Sequence, residues 1–215
     1  MSLIKFLPLF PLRLVVFPGE KLNLHIFEPR YRQLVHECHT EGLTFGINAF
    51  LSDIIMPFGT EMRLLKIEKH YENGEMDIRT EGVGLYGIEA YHKYANGKLY
   101  DGADVKPIAL NEGIVDFSVS KKILETVKEM FVLLNINKEL PETADEINSY
   151  KLGHYVGFSI DQEYEMLCIP SEIARQKFML DHLEHVMPVV REMDHLRQRA
   201  LLNGHFKNIV PPKIN

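Results

Sequence analysis

Tryptophan is absent and cysteine nearly so: only Cys38 and Cys168 occur in 215 residues, far apart and without a CxxC spacing. This excludes a disulfide framework and a thiolate zinc cluster. Two isolated thiols fit a reducing compartment, where free cysteine packs as a small hydrophobe. Positive charge is also in deficit, with 24 Lys and Arg against 30 Asp and Glu and a net charge of −6. Affinity for a phosphate backbone rests on clustered cations, so nucleic acid is not the expected partner. No apolar run approaches the ~20 residues of a membrane-spanning helix. In "MSLIKFLPLFPLRLVVF" a Lys precedes an apolar stretch, but Pro8, Pro11 and Arg13 interrupt it and no small-x-small site follows. Export is therefore not expected, and the cytoplasm is. Neither GxxxxGK[ST] nor GxSxG occurs, which leaves no phosphate-cradling loop and no nucleophile elbow.

What is present is the balance of a globular chain, 46% hydrophobic and 25% charged, long enough for one large domain or two small ones. Up to about residue 110 it reads as strands and turns. In "PLRLVVF", Leu12, Leu14 and Val16 alternate with Val15 and Phe17, which predicts a strand. In "KLNLHIF", Leu22, Leu24 and Ile26 share a face opposite Asn23 and His25. Pro18-Gly19 between the two predicts a type II turn joining them. Tyr31, Leu34, Val35 and Cys38 then follow helical spacing after Pro29, with Gly42 placed to end the helix. Arg30 and Arg32 are candidate pins of that helix to the strands. "LTFGINAF" returns to strand, and Asn73-Gly74 and Asn96-Gly97 predict two hairpins with type I′ turns. The expectation is an antiparallel barrel or sandwich.

After residue 110 the period changes to helical. Ile123, Leu124, Val127, Phe131 and Leu134 predict one buried face. Thr143 with Glu146 predicts a capping box opening a helix towards His154. Ser171 after Pro170 predicts the cap of a third helix carrying Leu180, Leu183, Met187 and Val190, which Pro188 would kink or split. "NIVPPKIN" predicts a frayed tail. The expected organisation is a β-rich part at 1–113 and a helical part at 114–215.

Chemistry-bearing patterns are few. His36 and His39 in "HECH" are three apart, as are His182 and His185 in "DHLEH". Neither pair specifies a third ligand and neither is HExxH, so both read as solvated helix faces. Ser118, Ser120 and Ser171 read as caps. Gly82, Gly84 and Gly87 match G-x-G-x-x-G in count, but between β-type segments, and read as bulges or a tight corner. Tyr86, Tyr91, Tyr94 and Tyr100, with His92 and Lys93, would stack bases or grip a peptide if they shared a surface; cross-strand packing is the plainer reading. No catalytic, cofactor-binding or metal-ligating residue is assigned, and no cofactor is expected.

One stretch carries a family signature. "PLFPLRLVVFPGEKLNLHIFEPRYRQLV", Pro8 to Val35, resembles the start of the N-terminal substrate-binding domain of the ATP-dependent protease Lon, above all its stand-alone members. "FGTEMRLLKI" (58–67) and "IRTEGVGLYGI" (78–88) are similar to two further segments of that family. Leu85-Tyr86 stand where the second of these usually has Arg-Phe. The resemblance implies an α+β fold, a PUA-like β pseudo-barrel followed by a C-terminal helical subdomain. It also implies a non-catalytic module that binds a polypeptide or protein partner, an adaptor or substrate-recruiting factor. In Lon the ATPase and Ser-Lys protease domains do the chemical work, and neither is expected within these residues. An RNA reader, since PUA-like folds include such proteins, and a hydrolase with a His-rich pocket are the alternatives. Partner identity, oligomeric state and binding-surface residues are not legible at this stage.

Overall fold

The computed structural model describes residues 4–113 and 116–206; the tail at 208–215 and the expected boundary pair around 114 lie outside them. Two compact units are distinguished, Met1–Ile114 with Asn148–Arg175, and Val115–Ile147 with Gln176–Asn215. The class is α+β.

The first unit is built on strands β1 (Lys5–Pro8), β2 (Lys21–Ile26), β3 (Thr44–Leu51), β4 (Ile54–His70), β5 (Met76–His92) and β6 (Gly102–Ile108), with helix α1 (Pro29–Glu41) between β2 and β3. All pairings are antiparallel, in the order β1-β6-β5-β4-β3, and β2 joins β5 along Met76–Glu81. Residues 9–12 close the sheet. Leu9 N donates to Asp101 O at 2.8 Å, Phe10 N to Gly46 O at 2.7 Å, and Phe50 N to Leu12 O at 2.7 Å, with parallel bridges Leu9↔Gly46 and Leu12↔Ala49. The chain thereby crosses from β6 to β3, pairing edges that would otherwise stay open, as a barrel does.

"PLRLVVF" is accordingly a strap and not the expected strand. Val15, Val16 and Phe17 are buried in succession, which alternation cannot produce, because the strap is covered on both sides. Pro18-Gly19 does turn the chain, with Gly19 at φ 83° and Glu20 N donating to Phe17 O. It leads from the strap into β2, whose partner is β5, so no hairpin forms there. β2 itself alternates as expected, with Asn23 and His25 exposed and Ile26 buried.

Helix α1 buries Tyr31, Leu34, Val35 and Cys38 and ends at Gly42 in the left-handed conformation. Arg32 Nη1 donates to Asn73 O at 2.8 Å, whereas Arg30 stays beside Glu28 and over the Tyr31 ring. Only one of the two candidate pins reaches the sheet. Asn73-Gly74 does join β4 to β5, but not as a type I′ turn: of the pair only Gly74 has positive φ, Gly74 N donates to Tyr71 O and Tyr71 N to Glu75 O. The two-residue turn with both φ positive lies at Ser52-Asp53 (φ 48° and 62°), between Leu51 and Ile54.

Residues 148–175 complete this unit with short helices α3 (Ser149–Leu152) and α4 (Ile160–Leu167). Thr143 caps nothing with its side chain and is followed by a single 3₁₀ turn; Asn148 is the N-cap of α3. The capping box is at Ser159 and Gln162, opening α4.

The second unit contains helix α2 (Phe117–Leu134) and most of α5 (Glu172–Phe206). Asp116, not Ser118, caps α2, accepting from Ser118 N and Val119 N. Ser120 is buried and donates to Gln176 Oε1 at 3.0 Å. Ile123, Leu124, Val127 and Phe131 are buried as expected, while Leu134 is exposed. Leu183, Met187 and Val190 are buried on α5, and Arg191 binds Glu129 at 2.6 and 2.8 Å. Pro188 sits inside α5 without dividing it.

Candidate functional site

The sequence-level candidates do not converge. His36, His39 and His185 are exposed on their helices, and His185 Nδ1 bonds the Asp181 carbonyl of its own helix. Among the described residues no group of His, Cys, Asp and Glu is arranged to hold a metal ion. Burial raises both thiol pKa values, that of Cys38 to about 12, so neither supplies a thiolate near neutral pH. Gly82 and Gly84 face Met62 and Glu61 across a register shift that leaves Val83 as a bulge. A Cβ on Gly82 would stand 2.7 Å from Phe17 O, which marks it as the place where the Pro18-Gly19 turn presses on β5.

The tyrosines separate in the same way. Tyr86 is wholly buried and its hydroxyl donates to Asn48 Oδ1; Asn48 in turn donates to Met56 O at 2.9 Å. A Cβ on Gly46 would overlap that hydroxyl, and one on Gly59 would lie 2.7 Å from it. Tyr86 thus finds a buried partner for its hydroxyl oxygen in Asn48. Tyr100 is buried and donates to Glu37. Tyr91 donates to Asp101 at 2.6 Å. Tyr91 and Tyr94 are exposed, Tyr94 with Lys93 over its ring at 5.2 Å and sharing a shallow surface pocket with His92. With Tyr86 and Tyr100 buried, the four tyrosines do not share one surface.

Two polar clusters in the first unit act as fasteners. The Arg175 guanidinium, fully buried, donates to Glu172 at 2.7 Å, to Ser149 Oγ at 3.0 Å and to Ile169 O at 2.9 Å, and stacks 3.9 Å over Tyr150. His154 places Nδ1 2.7 Å from Glu163 Oε1 and Nε2 3.0 Å from Glu20 Oε2, with its ring 4.7 Å from that of Phe17. Burial alone would lower its pKa, but the hydrogen bonds to Glu20 and Glu163 and their charges outweigh that and raise it to about 9. The ring is therefore an imidazolium at neutral pH, donating from both nitrogens.

The feature suited to a ligand is an apolar groove of about 410 Å³ lined by Pro57, Phe58, Gly87, Ile88, Glu89, Lys106, Pro107 and Ile108. Three strands build it. Phe58 faces Gly87 across β4 and β5, and the absent side chain leaves the Phe58 ring 3.4 Å from where a Cβ would stand. Gly87 faces Lys106 across β5 and β6, and a register shift after Ile88 turns Glu89 to solvent. Tyr164 of α4 accepts a hydrogen bond from Phe58 N at 3.1 Å and fixes the start of the wall. Pairing with β1 ends at Lys5↔Val105, so Lys106–Ile108 run on past it. Pro107 in that run fits an edge strand, where its missing N–H interrupts no ladder. Glu89 and Lys106 are the lining's ionisable side chains, one of each sign. Among the described residues the groove offers apolar contact and a β6 edge beyond the pairing of β1, and nothing in its lining serves as a nucleophile or a tuned base. Sequence reading missed it, since its residues lie on three segments and Gly87 drew notice only as a candidate bulge or corner.

The first unit is thus an antiparallel sheet closed by residues 9–12, with an apolar groove walled by β4, β5 and β6. Residues 6–185 match the family model of the ATP-dependent protease La (LON) substrate-binding domain, and the chain belongs to that family. Among solved structures it is similar to a Lon N-terminal domain protein from Xanthomonas campestris, at 21% identity and a TM-score of 0.68, covering 83% of this chain and 98% of that one. It is also similar to the N-terminal domain of Mycobacterium avium complex Lon protease, at 14% identity and a TM-score of 0.60, covering 84% and 98%. These likenesses concern the fold. No curated protein matches. Among the described residues no helix is long and apolar enough to cross a membrane.

Proposed function

We propose that this chain is a non-catalytic, cytoplasmic polypeptide-recruiting module, which holds an extended, apolar segment of a protein and presents it to other machinery. The observation that carries the reading is the groove of Phe58, Ile88, Pro107 and Ile108, where β6 stays paired with β5 and runs past the described pairing of β1, in a chain of the LON substrate-binding family. Apolar contact beside a strand edge suits an extended peptide, with main-chain hydrogen bonds adding affinity and apolar pockets adding selectivity. The groove's volume admits one or two large side chains, so occupancy by a single segment is weak, and longer unfolded chains gain by offering several.

Binding of reduced, carboxymethylated α-lactalbumin, a permanently unfolded probe, tests this by fluorescence anisotropy. Pro107→Asp and Ile108→Asp each place a charge in the groove outside the buried core cluster of Leu7, Leu9, Tyr86, Ala103 and Val105. Each is expected to weaken binding by roughly tenfold or more, about 1.4 kcal/mol, with the circular-dichroism spectrum unchanged. Undiminished binding by both folded variants, or no binding by the parent chain, overturns the proposal.

A further inference from the structure

Helix α5 extends past the part of it that is buried. Met187 and Val190 are buried, but residues 191–201 are exposed apart from half-buried Asp194. Nearly three turns therefore stand in solvent, although an isolated helix of that length is marginal in water without an apolar face to bury. The overhang does carry such a face. Val186, Val189, Met193, Leu196 and Ala200 recur at alternating steps of three and four, the a and d positions of a coiled-coil heptad. Val189, Met193 and Leu196 are 56%, 60% and 57% exposed. The outward b, c and f positions of the second heptad are Asp194, His195 and Gln198, all polar, so the stripe is narrow and one-sided.

The flanks say what covers it. Glu192 takes a g position and Arg197 the e position five residues on. In two parallel copies in register, Glu192 of each chain meets Arg197 of the other, giving two opposite-charge pairs astride the seam. Among the described residues Arg197, itself largely exposed, is paired with half-buried Asp194 of its own helix at 2.7 Å, a contact of modest net worth that an interchain pair can replace.

We propose that this stripe is the seam of a parallel homodimer, with α5 of one copy laid along α5 of a second. About two heptads make a weak contact, so the dimer dissociates over an accessible concentration range.

Sedimentation velocity of the full chain from about 1 to 200 μM is expected to show a monomer–dimer equilibrium with a dissociation constant of roughly 10–100 μM. Leu196→Asp, on an exposed position that leaves the fold intact by circular dichroism, is expected to weaken it roughly tenfold or more. Glu192→Arg and Arg197→Glu are each expected to weaken it, and the double exchange to restore it. Met193→Cys is expected to crosslink two copies on mild oxidation, since a positions face each other in a parallel pair. A chain that stays monomeric throughout overturns the proposal. So does a double exchange that fails to rescue, or crosslinks from residue 193 to the same chain's residues 207–215 or to a bound unfolded probe in place of a second copy.

Discussion

Tyr86 and His154 show how single side chains set the terms of this fold. The Tyr86 hydroxyl and Asn48 satisfy each other inside the barrel, in space left by Gly46 and Gly59. Tyr86→Phe leaves the Asn48 carbonyl oxygen buried without its donor and is expected to cost about 1–3 kcal/mol, measured by urea unfolding. A change within error would show that Asn48 finds another partner. His154 gives the pH dependence. Its folded pKa, about 9, lies above the ordinary 6.5, so its contribution is fully present below about pH 6.5 and is lost as pH rises through 9. Stability of the parent chain should fall across that window while His154→Gln stays flatter, and the imidazole proton resonances of His154 should titrate near 9. A midpoint near 6.5 would show that Glu20 and Glu163 do not hold the ring in solution. Neither residue announced itself in the sequence. Tyr86 was one tyrosine among several, and the partners of His154 come from positions 20 and 163, brought together only by folding.

At the scale of elements, legibility followed periodicity. β2 and α1 were readable because each keeps one face in the core, so Leu22, Leu24 and Ile26, or Tyr31, Leu34, Val35 and Cys38, reveal their period. The strap at 9–17 was misread because it is covered on both sides: alternation in its sequence had no counterpart in its burial. Helix α4 was missed, being short, and Thr143 drew attention from the working capping box at Ser159. Turn chemistry misled in a specific way. Asn-Gly marks the β4–β5 connection correctly, but the turn whose backbone needs two positive φ values is Ser52-Asp53. Replacing that pair by Asn-Gly relieves two residues held in the left-handed region and is expected to stabilise the protein by roughly 0.5–1.5 kcal/mol. The exposed Arg13–Asp53 contact at 3.6 Å offsets little of this. Thermal unfolding measures it, and a lowered midpoint would mean that the turn is not of this type. The groove was illegible for another reason: its walls come from β4, β5 and β6 together, and no local pattern encodes which strands become neighbours.

For the whole molecule, charge separates the two binding readings. The groove carries one Glu and one Lys, and the net charge is −6. Association with an unfolded polypeptide should therefore change by less than about twofold between 50 and 500 mM salt, whereas several phosphate contacts would lose a factor on the order of a thousand or more. Anisotropy titrations with the lactalbumin probe and with a single-stranded RNA decide it; a steep salt slope or preferred RNA binding would reverse the assignment. The closure of the barrel also bears on how the chain is made. Lys5–Pro8 pair with Gly102–Val105, so β1, once it leaves the ribosome, waits for β6. At roughly 5–20 residues per second that wait is on the order of ten seconds. Through it the β1 edge and the apolar strap stay bare, while α1 and the β4–β5 hairpin, whose contacts are local, can already form. The nascent chain is thus for a time the kind of client that the finished groove is proposed to hold.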